Sequence, residues 1–261
     1  MKDTIITSLF AAAILAGQTV AAFTVYDNTD YQNVTIGHGS TPINWIPNYV
    51  CSPLVSSGGL PDETQWKSIV STWNEHPGYP LVLDCEDLYI SGNASNALNH
   101  YQRLLSLQTW AAEVVPAGQT IGWYGLVGNT PSTYYSYYRQ LIAAYPKHAY
   151  FPSAYTFSAS TSTWKSTLES NIAIAQAVNS SIPIYPYIWP QYHSGSTGVT
   201  AYSFIPAAQW TTELDDLHAE SGLSGFVIWG GNNTAACNAS CQAFADGPWV
   251  GATQTFLDSI Y

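Results

Sequence analysis

Short apolar runs rich in β-branched and aromatic residues alternate along this chain with longer stretches whose apolar positions recur every three or four residues. The first kind predicts strands over 23–26, near 49–50, and over 81–86, 120–125, 148–151, 182–189 and 225–229. The second predicts helices over 61–75, 96–115, 131–144, 164–178, 206–221 and 254–260. Acids at Asp62 and Glu63 open the helix that places Trp66, Ile69, Val70 and Trp73 at helical spacing. Pro116 and Gly118 close the one carrying Leu98, Tyr101, Leu104, Leu105, Leu107 and Trp110. Pro183 and Pro186 weaken the strand over 182–189, since neither can donate to a ladder.

Strand and helix alternate about seven times, which implies parallel strands with helices outside, in a barrel or a doubly wound sheet. No Gly-x-Gly-x-x-Gly loop follows the first strand to favour a nucleotide fold. Polar and aromatic groups stand at the C-terminal ends of several strands, as a barrel active site requires. The expected fold is therefore α/β, a TIM-type (β/α) barrel of seven distorted strands, forming one domain over 23–261. Residues 1–22 read as a signal peptide, with Lys2 ahead of an apolar run and Val20-Ala21-Ala22 at a cleavage site. Acceptor motifs at Asn33, Asn93, Asn179, Asn232 and Asn238 fit a secreted glycoprotein, although the motif arises often by chance in so Ser/Thr/Asn-rich a chain.

Four cysteines admit three pairings. Cys237 and Cys241 are near enough in a loop to bridge locally, which leaves Cys51 with Cys85. An oxidising compartment and the lack of a second ligand pair argue against metal binding by these thiols. The six histidines have no ligand-like spacing and read as surface or structural residues. Neither metal nor organic cofactor is expected.

Only 6 Lys and Arg stand against 17 Asp and Glu, a net charge of −11 that argues against nucleic acid and strongly acidic ligands. Ten Trp and 19 Tyr in a chain with 9% charged residues suit neutral sugars, whose apolar faces stack on aromatic rings. A polysaccharide is thus the expected partner of an extracellular monomer, with no membrane or nucleic-acid role.

The stretch Leu81-Val82-Leu83-Asp84-Cys85-Glu86-Asp87 carries the candidate chemistry. On a strand, Asp84 and Glu86 share one face and Cys85 takes the other. Two adjacent carboxyls at a buried strand end favour one shared proton, which supplies a general acid beside an orienting base. The plainer alternative is a strand end with two solvated acids, and Asp87, Asp215 and Asp216 read as solvated in either case.

Five strand ends together resemble the hyaluronidase family, glycoside hydrolase family 56. They are Asp84-Cys85-Glu86, Gly122-Trp123-Tyr124-Gly125, Phe151-Pro152-Ser153-Ala154-Tyr155, Ile184-Tyr185-Pro186-Tyr187 and Gly225-Phe226-Val227-Ile228-Trp229-Gly230, in the family's order across 81–230. The resemblance implies substrate-assisted retention. Glu86 would protonate the leaving oxygen and Asp84 would orient the substrate's acetamide. Tyr124, Tyr155 and Tyr187 would bind the sugar, and Trp229 would form the floor of its subsite. The expected activity is endo-acting cleavage of an N-acetylhexosamine-containing polysaccharide. The family's basic substrate-contacting residues are not evident. One alternative is a glycosidase on a neutral non-acetylated polymer, pairing Glu86 with Asp27 or Asp30. The other is a non-catalytic carbohydrate-binding barrel.

Overall fold

The computed structural model describes residues 22–31, 34–37, 39–56, 58–231 and 247–261. Residues 1–21 of the expected signal peptide, the acceptors Asn33, Asn232 and Asn238, and the Cys237–Cys241 pair lie outside the described residues. The elements are β1 (Thr24–Thr29), β2 (Ser40–Pro42), β3 (Asn44–Ile46), α1 (Asn48–Val55), α2 (Glu63–Trp73), β4 (Leu81–Leu83) and α3 (Ala94–Ala112). They continue with β5 (Ile121–Tyr124), a short turn α4 (Leu126–Asn129), α5 (Tyr135–Ala144), β6 (His148–Phe151), α6 (Thr161–Asn179), β7 (Tyr187–Ile188), α7 (Ala207–Ala219), β8 (Gly225–Gly230) and α8 (Pro248–Ile260).

All strand pairings are parallel, in two four-stranded sheets ordered β2-β1-β8-β7 and β3-β4-β5-β6. Isolated bridges Tyr150–Ile184 and Ser153–Tyr187 connect β6 to the β7 segment, and one residue, Ile43, separates β2 from β3. Helices follow strands as the alternation predicts. Asp62 and Asn93 cap α2 and α3 through their side chains, accepting the Gln65 and Asn96 N–H groups. Asn93 and Asn179, the two described acceptor sites, both lie at helix ends. No helix among the described residues is long and apolar enough to cross a membrane.

Strand parity sorts the core. Val25, Ile46, Leu81, Leu83, Tyr150, Ile188, Phe226 and Ile228 pack with the helices, while Tyr26, Val82, Ala149, Phe151, Tyr187 and Val227 form a second cluster. Trp45, Tyr124, Tyr155, Tyr185 and Trp229 pack against that second cluster. Gly122 belongs to the inner side by parity, and a Cβ there would meet the Ala149 carbonyl at 2.2 Å and the Phe151 ring at 2.6 Å. The glycine is what lets β5 and β6 close up beneath Tyr124.

Several expectations need correction. The strand placed near 49–50 is helix α1, and the strands of this region are β2 and β3, ended by Pro47 at the helix N-cap. The strand expected over 81–86 stops at Leu83, and Glu86–Leu88 form a 3-10 turn. That expected over 182–189 is reduced to Tyr187–Ile188, since Pro183 and Pro186 remove two donors. The last helix begins six residues early, with Pro248 in its first turn.

Gly122→Ala is expected to lower unfolding free energy by about 1–3 kcal/mol, from overpacking. Gly251 in α8 has nothing within 4 Å of an added Cβ, so Gly251→Ala should instead stabilise by about 0.5–1 kcal/mol. Urea titration of both variants checks the contrast.

Candidate active site

The acid segment leaves β4 at Asp84, whose N–H donates to the Ile46 carbonyl at 3.0 Å, the last ladder bond to β3. Cys85 then turns outward into the core beneath the helices and pairs with Cys51 of α1, Cα to Cα 5.4 Å. Two further ties hold the turn to α1. The Glu86 N–H donates to the Asn48 side-chain oxygen at 3.0 Å, and the Ser52 hydroxyl donates to Asp87. Asp87 is therefore exposed but hydrogen-bonded, where simple solvation was expected.

This geometry separates the two acids. Asp84 is buried, 5% exposed, while Glu86 is exposed. They do not share the face of one strand as expected, because the chain turns between them. The Asp84 carboxyl accepts the Trp45 indole N–H and the Asn48 N–H, but its Oδ1 has no hydrogen-bond partner among the described residues. Burial raises its pKa well above the usual carboxylate range, and the Glu86 charge adds to the rise. A buried oxygen without a partner in the protein calls for a proton, a water or a ligand to meet it. Glu86 accepts from the Tyr89 hydroxyl at 3.1 Å. Tyr89 reaches it over Gly125, whose φ of +71° and missing Cβ leave room for the phenol ring.

Tyr124, Tyr155 and Tyr187 surround Asp84. Burial raises all three phenols, and the Asp84 charge raises them further, so each remains an O–H donor across the neutral range. Tyr124 and Tyr187 meet edge to face at 5.2 Å, and Tyr124 and Tyr155 lie 6.2 Å apart. Trp229 stands beside Tyr155 at 5.7 Å, Trp189 at 5.1 Å and Trp45 at 6.0 Å, with its own buried indole nitrogen unpartnered among the described residues. The structure thus gathers Asp84, Tyr124, Tyr155, Tyr187 and Trp229, with Glu86 on the adjoining turn.

Sequence reasoning missed Trp45, Trp189 and Asn28, whose side-chain amide donates to the Tyr187 hydroxyl at 3.4 Å. Trp45 sits in the alternating segment Ile43-Asn44-Trp45-Ile46, a strand signal passed over in favour of Tyr49-Val50. Asp27 sits on β1 in register with Ile228, on the helix-facing side by parity, and accepts both the Thr29 N–H and its hydroxyl. It does not face Asp84, which removes it as an acid partner for Glu86. No cluster of three or more potential metal ligands occurs among the described residues.

The loop carrying Tyr155 is moored from below. The Thr156 hydroxyl donates to buried Glu213 of α7 at 2.9 Å, and Gln209 donates to the other Glu213 oxygen at 2.9 Å. Burial lifts the Glu213 pKa from 4.5 to about 7.

No family model matches the chain, and no curated protein matches it in sequence. Among solved structures, a monoclinic crystal structure of bee venom hyaluronidase is similar over 89% of this chain and 99% of its own, with a TM-score of 0.60 and 15% identity. Bee venom hyaluronidase in complex with a hyaluronic acid tetramer is similar over 78% of this chain and 66% of its own, at 0.46 and 14%. A GH138 enzyme targeting pectin rhamnogalacturonan II is similar over 93% and 39%, at 0.31 and 10%. The last two overlap too loosely to support an argument. The first shows a shared α/β fold of parallel strands and helices, so the resemblance to hyaluronidases holds at the level of fold.

Because the folded pKa of Glu213 lies above its ordinary value, its contribution to stability is complete below about 4.5 and is lost as pH rises through about 7. The raised Asp84 pKa acts with the same sign. Melting temperature should fall as pH rises across that window, and Glu213→Gln should flatten the fall. Thermal melts followed by circular dichroism at a series of pH values check this.

Proposed function

We propose that this protein is a secreted glycoside hydrolase that cuts an N-acetylhexosamine-containing polysaccharide internally, by a substrate-assisted retaining mechanism. The observation that carries the reading is the buried, half-satisfied Asp84 carboxyl, electrostatically coupled to Tyr124, Tyr155 and Tyr187, with exposed Glu86 two residues on. Glu86 acts as general acid on the leaving glycosidic oxygen. The acetamide oxygen of the bound sugar attacks the anomeric carbon, and water later opens the intermediate with Glu86 as base. Asp84 Oδ1 accepts the acetamide N–H, orienting it and stabilising the positive charge that develops on it.

Two enzyme carboxylates that divide the work of nucleophile and acid flank the sugar, at about 5–5.5 Å in retaining enzymes. Asp84 and Glu86 leave one strand end and approach a sugar from one side, so a nucleophile within the substrate suits them better. Tyr124 and Tyr155 donate to the acetamide and ring substituents, Tyr187 backs them with Asn28, and Trp229 forms the floor on which the sugar face stacks.

The polymer is neutral. Of the described cations, Lys67 pairs with Glu63 and Glu113, Lys165 with Asp216, and Arg103 and Arg139 donate to backbone carbonyls of neighbouring segments. Lys147 precedes β6, at the opposite end from the acids. None faces the site to neutralise uronates, which favours a chitin-type or galactosamine-rich glycan over hyaluronan.

Glu86→Gln is expected to lower kcat on an acetamido polymer by about 10²–10⁴-fold with folding intact. Proton NMR of the wild-type reaction should show retained anomeric configuration in the first-formed product. Wild-type turnover by Glu86→Gln, or equal cleavage of a fully deacetylated polymer, would defeat the mechanism.

A further inference from the structure

Six aromatic rings form one unbroken chain of neighbouring contacts at the C-terminal ends of the strands: Tyr49, Trp45, Trp229, Tyr155, His193 and Phe157. Their successive centroid separations are 6.5, 6.0, 5.7, 5.7 and 4.6 Å. Trp45, Trp229 and Tyr155 belong to the site around Asp84, but both ends lie beyond it. Tyr49 stands on α1, directly after β3, and Phe157 on the loop after β6. Those are the outer strands of the sheet β3-β4-β5-β6, and the acid-bearing β4 runs between them. The two ends therefore flank the acids.

Both ends are open to solvent, Tyr49 at 63% and Phe157 at 45% exposure. Single exposed aromatics are ordinary and need no explanation. These two are joined ring to ring with the site, and their backbones are fixed. The Thr197 N–H donates to the Phe157 carbonyl and the His193 N–H to the Thr156 carbonyl, each at 2.9 Å. Tyr49 is braced edge-on by Trp73 of α2 at 6.3 Å. A ring held out on fixed backbone loses little freedom when a ligand stacks on it.

We propose that Tyr49 and Phe157 are sugar platforms at opposite ends of an extended cleft, so that the protein grips an uncharged linear glycan on both sides of the residue it cleaves. This rests on the glycosidase reading of the Asp84 site. Asp30, close enough to Tyr49 to act on its phenol, makes that end unfavourable to a polyanion.

The test uses the Glu86→Gln protein, to hold substrate intact, with and without Tyr49→Ala and Phe157→Ala. Binding to soluble glycol chitin is read by affinity electrophoresis, and binding to chitin tetrasaccharide by calorimetry. Each substitution should weaken polymer binding by about three- to tenfold, the range of one aromatic contact, with a smaller loss on the tetrasaccharide. Tyr49→Trp and Phe157→Trp should restore polymer binding, which a folding defect would not predict. Unchanged polymer affinity in both alanine variants, while Glu86→Gln still abolishes turnover, overturns the platforms and leaves the active-site reading standing. A Glu86→Gln protein that retains neither probe, with no turnover by wild type, overturns both.

Discussion

Placing the Asp84 carboxyl at the buried end of β4 costs solvation that the protein itself only partly replaces. Two N–H donors reach it, from Trp45 and Asn48, and one oxygen is left without a partner among the described residues. The remaining deficit can be met by a proton or by a polar ligand, and both remedies bear on chemistry. Everything around the carboxyl is consistent with holding that deficit in place. Tyr124 and Tyr187 are coupled to it, Gly122 removes the side chain that would push β5 from β6, and Trp45, whose indole reaches the carboxyl, packs against Trp229.

Leaving Glu86 in water, two residues further on, takes a second device. A continuous strand would have carried both acids onto one face, and both would have been buried. Instead the chain turns at Cys85, which plunges into the helix-side core and bonds to Cys51. A disulfide closing a loop of this size contributes about 3–4 kcal/mol in the chain-entropy account. Here its position has a further effect, since in the same helix Asn48 accepts the Glu86 N–H and Ser52 donates to Asp87. The acid turn is therefore built by α1 as much as by β4. The result is two carboxyls with contrasting surroundings on one short segment, one buried and one in water.

Much of this was legible in the amino-acid order, and the failures have physical causes. Helix periods and caps placed α2, α3, α6 and α7 because amphipathic stripes are local in sequence. The strand ends leading to Asp84, Tyr124, Tyr187 and Trp229 were legible because each closes a short apolar run, and Tyr155 lies in the loop after the run that ends at Phe151. The turn after Asp84 was not, because the tie that creates it comes from Asn48, Cys51 and Ser52, more than thirty residues away. Trp45 was lost for a related reason. Its strand is three residues long, too short for alternation to stand out beside the bulkier Tyr49-Val50 pair. Asp27 looked available as a second acid because sequence alone did not fix the parity of β1, and pairing with β8 turns it toward the helices.

The distribution of charge links these observations to the kind of ligand the cleft can hold. The described cations are engaged on helices or at the far end of the strands, so recognition at the strand C-termini falls to phenol O–H groups, amides, indoles and ring faces. A neutral hydrogen bond contributes only about 0.5–1.5 kcal/mol net, and an aromatic contact a similar amount. A small neutral ligand meeting three or four such groups would be held weakly, and part of that interaction must be reserved for the transition state. Affinity has to accumulate along length instead. A polymer spanning the proposed platforms Tyr49 and Phe157 would collect modest contacts at both ends while the proposed chemistry stays at Asp84 and Glu86. On the proposed reading, the sparse charge of the chain and the exposed aromatics at either end of the site answer one need, to hold an uncharged glycan by its length.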